Sequence, residues 1–492
     1  MNYPKIVGAA LALACACAVG CRTTKDVLDD YETSLSTGQY VDPVQETSEL
    51  ADKKDGTQLL WQLMAGGSLY MAGDRNKAIE MFDHAEDTMS ANDRVSVFSR
   101  AGDGALAMLT NDRSFPYDGG GQDRIFTCLY KAIDYMAGGR RDAARTELNR
   151  AAQHQENWLW QRRKDVAAAA RRLEADAAAY AKQQPVQLPA GRTQQTASVL
   201  ANPSFRANVR SKCRFDPMTS GNLNRLAPYE FMNAYASHVT GVFRWLVGDS
   251  ARNCLKDAAA LQSGNRVLQR DYAEVNRGVK PVNQVWIYAE DGLCQCREEW
   301  RLDLPLALLP FVQRYVLYAG MALPYLRERS HGAINWSVVA NGAAMPMAQL
   351  ADVDALVKTE YNVYMRGALT REITRTIIKI GAQVALGAAA EAAEKRHEKK
   401  KKNSSSNDFW TLKAAQIGVA TWAATTTAAD LRSWTALPKT VKVARVARPA
   451  DGKIEIVADG QRIPLVVPPG NTMVFIRKPG PAACPMVKMA TF

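Results

Sequence analysis

The chain reads as an α+β protein: a helical-repeat domain comes first, and a β-sandwich-like domain with an inserted apolar helical hairpin follows. Three observations predict this. A pattern of glycine, alanine, a large apolar residue and alanine recurs at fixed offsets in the first half. Near residue 282 the period of the apolar residues changes from helical to two. Between two strand-rich stretches lie two Gly/Ala-rich apolar runs, 377–393 and 409–429, which are too long for strands. With 492 residues, 47% hydrophobic and 23% charged, the chain is globular and long enough for two or three domains.

Residues 1–20 have the order of a secretory signal: Lys5, an apolar run from Ile6 to Val19, then small residues at Ala18 and Gly20. The run is shorter than the roughly 20 residues that span a bilayer. Cys15, Cys17 and Cys21 lack the second thiol pair and the turn residues of a zinc site. Ala18-Val19-Gly20-Cys21 resembles the lipobox of bacterial lipoproteins, which implies cleavage before Cys21 and lipidation of its thiol, with Ala18 where Leu is commoner. The mature protein is then expected on a cell-envelope membrane. Arg22, following the modified cysteine, favours the outer membrane in a Gram-negative host. Residues 21–55 are polar and weakly periodic, as a tether would be.

Residues 56–275 form the expected helical domain. Gly73, Ala78, Phe82 and Ala85 stand at offsets 0, 5, 9 and 12, and Gly139, Ala144, Leu148 and Ala151 repeat them. These offsets match the second half of a tetratricopeptide repeat, in which small residues let two helices touch and a large one fills the gap. Ala78 and Ala144 are 66 positions apart, close to two repeat lengths, so a degenerate unit is expected over 92–123. Residues 235–261 echo the pattern with the register off by one. A long Ala/Arg-rich helix is expected over 158–184, and the Pro, Gly and polar residues that follow mark a linker near 184–200.

Residues 276–492 form the expected β domain, with a helical insertion over 350–430. VNQVWIYAEDGLCQCREEWRLDLPL reads as two strands around a Glu-Asp-Gly turn, a hairpin signal, and TVKVARV and KIEIVADGQRIPLVV add strands around Asp-Gly. Cys294 and Cys296 are two positions apart on a strand face. Whether Cys213, Cys254, Cys294 and Cys296 form disulfides stays open; the cysteines after Cys21 are too sparse for a disulfide scaffold. Within the insertion, Lys379, Gln383, Lys413 and Gln416 argue against a full membrane span. The Gly/Ala-rich helices suit an αα-hairpin packed on its own protein, or one lying on anionic lipid or docking a partner, with Lys399, Lys400, Lys401 and Lys402 at its tip.

No reading of the sequence points to a catalytic centre. The histidines His84, His154, His238, His331 and His397 are scattered, and none falls in a metal-binding spacing. There is no nucleophile elbow and no phosphate-binding loop; Gly119-Gly120-Gly121 reads as a flexible connection. His84 and His238 on repeat helices read as solvated or groove-lining. The net charge is +12, and removal of residues 1–20 takes away only Lys5, leaving +11. In an exported protein that charge points to anionic lipid or acidic envelope polymers rather than nucleic acid.

Several blocks together resemble an uncharacterised family of bacterial lipoproteins with tetratricopeptide-like helices and a C-terminal β region. They are LTND with a Tyr-Asp-Gly turn (109–119), YKAIDYMAGGRRDAARTELNRA (130–151), VWIYAEDGLC (285–294), LADVDALVKTEY (350–361) and ADLRSWTALPKTVKVARV (429–446). The last carries an Ala-Asp-x-Arg-Ser-Trp-x-x-Leu-Pro signature; the Lys-rich loop and Ala18 depart from the family. The resemblance implies fold and location and transfers no catalytic residue, cofactor or metal. On the residues themselves, Asp430 and Arg432 are expected to form a charge-assisted pair that fixes a helix–strand junction, with Trp434 as its plug. The expected function is a lipid-anchored scaffold binding a protein or peptide in a groove of its repeats. The alternatives are a hydrolase or transferase acting on envelope polymers in a cleft between the helical and β domains, and a regulator of cell-wall synthesis.

Overall fold

Two helices, α1 (Thr24–Thr37) and α2 (Val41–Ala51), occupy the stretch expected to be a tether. Val27, Tyr31 and Leu35 recur every fourth residue and bury one face of α1, Tyr31 donates a hydrogen bond to the Met64 carbonyl (2.9 Å), and Glu32 pairs with Arg329 (2.7 Å). Three apolar residues among many acidic and hydroxyl ones gave a weak pattern, yet they suffice once a partner surface is present. The structure is a computed structural model that describes residues 24–98, 112–160, 163, 192–303, 316–329, 334–399 and 407–492. The signal segment with Cys21, the intended tip lysines Lys400 to Lys402 and most of the long helix expected over 158–184 lie outside them.

The chain is mixed α+β, with helices first and sheets after. Three helix pairs lead: α3 (Gln58–Ala72) with α4 (Arg75–Phe98), α5 (Gly121–Ala137) with α6 (141–160), and, after α7 (Arg192–Ala201), α8 (Pro203–Cys213) and α9 (Pro228–Phe231), α10 (Ala234–Val247) with α11 (Arg252–Leu261). Helix α12 (Arg266–Asn276) closes the helical part. Of the linker expected near 184–200, residues 192–200 are helical instead, packing Val199 into a core with Phe205 and Val209. Of the unit expected over 92–123, residues 99–111 lie outside the described residues. The rest is the end of α4, a 3-10 turn at Asp112–Ser114, a loop and the start of α5.

The strands are β1 (Gln284–Asp291), β2 (Cys296–Asp303), β3 (Gly320–Arg327), β4 (Trp336–Ala340), β5 (Ala343–Pro346) and β6 (Ala348–Asp352). After helices α13 (Val353–Lys399) and α14 (Asn407–Thr426) come β7 (Thr440–Ala447), β8 (Lys453–Ala458), β9 (Gln461–Val466), β10 (Thr472–Lys478) and β11 (Met486–Thr491). They form a five-stranded sheet in the order β11-β10-β1-β7-β6, a four-stranded sheet β5-β4-β8-β9 and the pair β2-β3. The expected β1–β2 hairpin is absent. β1 lies between β10, to which it is parallel, and β7, so neither edge is open to β2. The turn groups are also engaged elsewhere: the Gly292 N–H donates to the Lys478 carbonyl and the Cys294 N–H to the Leu437 carbonyl. The Asp459-Gly460 turn does join β8 to β9, with both residues at positive φ as a two-residue hairpin requires.

Alternation along β1 divides the core. Val285, Ile287 and Ala289 face the four-stranded sheet and pack on Trp336, Val338 and Ile456. Trp286 and Tyr288 face the helices in one continuous core with Leu63, Phe82, Phe126 and Val239. The central sheet is thus covered on both faces. The long α13 lies over β3, with Tyr361, Met365, Leu369 and Ile373 in a core shared with Met321 and Leu323.

Candidate functional site

The helix pairs owe their contact to small residues. Gly73, Gly139 and Gly248 hold positive φ at the three interhelical turns. Seven residues earlier, a Cβ on Gly66 would lie 2.6 Å from the Phe82 ring, and one on Gly241 would lie 2.6 Å from Leu255. Ala78, Phe82 and Ala85 are buried, as are Ala144, Leu148 and Ala151. In the third pair Ala251, Leu255 and Ala258 hold these places. Phe82 lies nine residues after its turn glycine and Leu255 seven, so the register is off by two rather than one.

The first helix of every pair is enclosed. All residues from Leu59 to Met71 on α3 are buried, and α5 and α10 are nearly as covered. What covers them is the chain's own later part. The connector between α14 and β7 runs along α3 without helix or strand as far as Trp434. Arg432 anchors its start by donating to Asp430 through Nε (2.8 Å) and Nη2 (3.0 Å), to the carbonyls of Gly56 and Phe115 (both 2.8 Å) and to that of Asp112 (3.1 Å). Trp434 then enters the helix layer, its ring 5.8 Å from that of Phe82 and edge-on to Tyr130 at 5.9 Å. A Cβ on Gly67 would approach the Trp434 indole nitrogen to 3.2 Å, so glycine makes the hole. Beyond it, the carbonyls of Thr435 and Ala436 accept from Arg329 and Arg477 (both 2.9 Å), and that of Leu437 accepts from Cys294 N–H (2.8 Å). A connector held by main-chain carbonyls and one aromatic plug is bound as a peptide ligand would be.

Beside the connector, polar groups on the sheet face meet partners on the helices. Glu290 on β1 accepts from Tyr235 (2.7 Å) and Tyr130 (3.0 Å), with Arg477 at 3.6 Å; burial pushes its carboxyl above the usual range, the arginine opposing. Lys488 on β11 pairs with Asp134, and burial raises that carboxyl to about 6 against the pull of the lysine. Asp271 on α12 accepts from Arg445 (2.6 Å), Trp286 (2.9 Å) and His238 Nε2 (2.9 Å), while His238 Nδ1 lies 3.1 Å from the Tyr288 hydroxyl. His238 is therefore neither solvated nor groove-lining, for it is fully buried with both ring nitrogens engaged. His84 is exposed. The Tyr288–His238–Asp271 chain has the order of a proton relay, but all three residues are sealed in the core and no substrate atom can reach them.

One group has metal-ligating composition: Glu86, Cys128 and Glu147 bring their ligand atoms within 4.8 Å of one another. Its centre belongs to Lys131, whose ammonium lies 2.6 Å from Asp83, 2.8 Å from Glu86 and 2.9 Å from Glu147, with Arg150 2.7 Å from Glu86. The carboxylates are neutralised by two cations, so the donor set does not fit a metal ion. The cysteines of the described residues are free thiols, Cys294 and Cys296 among them. Cys294 precedes β2, and its thiol contacts the Trp434 carbonyl. Gly119-Gly120-Gly121 is more than a flexible connection: Gly119 has positive φ, and Cβ atoms on Gly120 and Gly121 would collide with Glu360 and Trp158.

A further network ties the 112–115 turn to α13. Burial raises the Asp112 carboxyl, but Arg371 and Arg375 overcome it and hold it well below the usual range. Farther along, three polar residues of the hairpin are used between its helices and the body. Lys379 donates to Thr426 (3.0 Å), Gln383 donates to the Tyr318 carbonyl (2.8 Å), and Gln416 donates to the Gln383 carbonyl (3.4 Å). Sequence reasoning found Asp430, Arg432 and Trp434 as a junction but not the helices they fill. It missed Glu290, Asp271 and Lys131, because charged residues on strand and helix patterns read as solvated positions. The comparisons with family models, curated proteins and solved structures find no match.

Proposed function

We propose that this chain is a non-catalytic scaffold of the cell envelope, anchored by a lipid on Cys21, and that its helix pairs are tetratricopeptide-like repeats. In this reading the two larger sheets form a β-sandwich-like platform for the repeats. The observation that carries the reading is the connector from Asp430 to Leu437, which occupies the inner repeat face in the manner of a bound peptide. A face filled in cis is unavailable to a partner, so partner proteins are engaged by the outward faces of the second helices. The signal and lipobox order of residues 1–21 supports the envelope location, with Arg22 favouring the outer membrane.

The rival reading, a hydrolase or transferase of envelope polymers, needs a cleft where the helical and β parts meet. Among the described residues that meeting surface is a continuous packed core, which favours the scaffold. A regulator of cell-wall synthesis is a special case of the scaffold and differs only in the identity of its partner. The test is site-specific photocrosslinking in intact cells, with the probe at exposed His84 on α4 or at buried Tyr130 on α5. A discrete protein adduct at position 84 and none at position 130 is expected. Release of soluble fragments from purified envelope polymer by the isolated protein would instead establish the enzyme.

A further inference from the structure

Arg297 on β2 is a cation with no acid to match it. Among the described residues no carboxylate lies within ion-pair distance of its guanidinium and no acceptor takes its N–H groups; the guanidinium instead lies over the ring of Tyr364, 4.5 Å from its centre. The acids nearby are taken. Glu298 holds Arg327 (2.7 Å) and Tyr325, Glu299 accepts from Arg301 (2.6 Å) and from the Ala429 N–H (2.8 Å), and Asp430 accepts from Arg432 (2.8 Å). An unpaired guanidinium inside a protein is costly unless water or an anion reaches it. Arg297 can be reached, for it is half-buried and none of its nitrogens is sealed from solvent.

Its place is a seam between two apolar cores. Tyr117 packs at the edge of the core of the helix pairs, and Tyr364 at the edge of the core under α13. Arg297 interacts electrostatically with both tyrosines and with Asp430. The Tyr364 hydroxyl donates to Asp112 (3.0 Å), the Asp112 carbonyl accepts from Arg432 (3.1 Å), and the Arg432 guanidinium lies 5.8 Å from the Tyr117 ring. These contacts close a ring of side chains with Arg297 on its rim. Burial pushes both tyrosine hydroxyls well above their ordinary range, yet Tyr117 and Tyr364 keep accessible surface, as Arg297 does. Groups that are both deep and accessible line a cleft. The connector borders it too, crossing β2 between Glu299, which accepts from Ala429, and Cys294, whose thiol contacts the Trp434 carbonyl. Ser433 lies on that crossing, and its buried hydroxyl has no partner.

Chemistry selects the ligand. A guanidinium lying over a ring keeps its N–H edge free, and that edge fits the two oxygens of a carboxylate. One unpaired positive charge matches one negative charge. A phosphate dianion would bring its second charge toward the carboxylates of Asp112, Asp123 and Asp430, which already surround the seam. The two tyrosine rings supply walls for a flat apolar body. We infer that the seam is a binding site for a small carboxylic acid with a flat apolar body, held through its carboxylate by Arg297. The site goes beyond the scaffold reading and does not rest on it, for it involves neither a protein partner nor the lipid at Cys21.

The experiment titrates the full chain, in a neutral detergent, with benzoate, with its uncharged counterpart benzamide and with inorganic phosphate, and follows binding by saturation-transfer NMR. Saturable binding of benzoate alone is expected. Arg297→Met should weaken it at least about tenfold, through loss of charge-assisted hydrogen bonds. The same variant should unfold at an unchanged or higher temperature, because no acid of the protein loses its partner. Phenylglyoxal should modify Arg297, as located by mass spectrometry of the digested protein, and benzoate but not benzamide should protect it. Absence of benzoate binding, equal binding by Arg297→Met, equal binding of benzamide, or an Arg297 that phenylglyoxal leaves unmodified overturns the inference. A lowered unfolding temperature of Arg297→Met also overturns it, by assigning the arginine to the fold. Tighter binding of phosphate than of benzoate overturns the carboxylate and points to a phosphate ester in its place.

Discussion

Gly66 lies directly beneath the ring of Phe82, so that a Cβ at position 66 would stand 2.6 Å from a ring carbon. Ring and helix have no room to part, since Phe82 also faces Trp434 and Tyr130. Gly66→Ala should therefore destabilise the protein by about 1–3 kcal/mol, although alanine is the better helix former. Ala78→Trp should cost at least as much, because that position is fully buried at the same contact. Both are read by urea denaturation, and a midpoint unchanged in either would contradict the close packing.

The connector predicts a second effect. Trp434→Ala removes the plug between Phe82 and Tyr130 and should cost about 3–5 kcal/mol. Arg432→Met leaves Asp430 buried without its cationic partner and takes one donor from each of the Gly56, Asp112 and Phe115 carbonyls, with a cost of about 3–5 kcal/mol. In both variants limited proteolysis should cut between residues 427 and 440, where the unsubstituted protein resists. Cleavage elsewhere first would mean that the connector is not the element holding the helices to the sheet.

Asp291 predicts a pH dependence. Burial raises its carboxyl to about 6, opposed by the Ile334 N–H that it accepts and by Lys442. Its proton is thus held more tightly in the folded state than in the unfolded one. The associated stability is fully present below the unfolded value of 3.8 and is lost as pH rises through about 6. Asp134 contributes in the same direction. Asp291→Asn keeps the acceptor for Ile334 and should be more stable than the unsubstituted protein by about 2 kcal/mol at neutral pH, the advantage vanishing in acid. Denaturation across this pH window measures it; a constant difference between the two proteins would rule the buried carboxylate out.

Cys21→Ala should abolish labelling by a fatty-acid analogue and move the protein out of the membrane fraction. Persistent labelling would assign the lipid to another residue and remove the lipobox reading of Ala18-Val19-Gly20-Cys21.

The candidate site was only partly legible in the sequence. Asp430, Arg432 and Trp434 stood out because two opposite charges beside a tryptophan in a helix–strand connection invite a pair and a plug. Their receiving surface did not stand out, for Gly56, Gly67 and Phe115 lie more than 300 positions earlier and nothing local marks them. The same distance hid Glu290, whose partners Tyr130 and Tyr235 belong to helices, and His238, whose acceptor Asp271 belongs to another helix.

What the sequence determined by itself was whatever depends on local periodicity. Turn glycines followed by Ala, a large residue and Ala prescribe two touching helices, because small side chains at one helical face admit a close neighbour. Period-two alternation prescribes strands with two buried faces, as Val285 to Ala289 show. Long Gly/Ala runs prescribe the hairpin. What only the tertiary structure decided was which surface meets which. Alternation tells a strand which face to bury but not its neighbour, so β1 pairs with β10, some 190 residues away, rather than with β2. The weak pattern of α1 becomes a helix only against Met64 and Arg329, and the inner face of the helix pairs closes only when Trp434 arrives from the far end of the chain. Burial of apolar area is additive and non-directional, so a sequence can announce that a face will be covered, while shape and charge at long range select the cover.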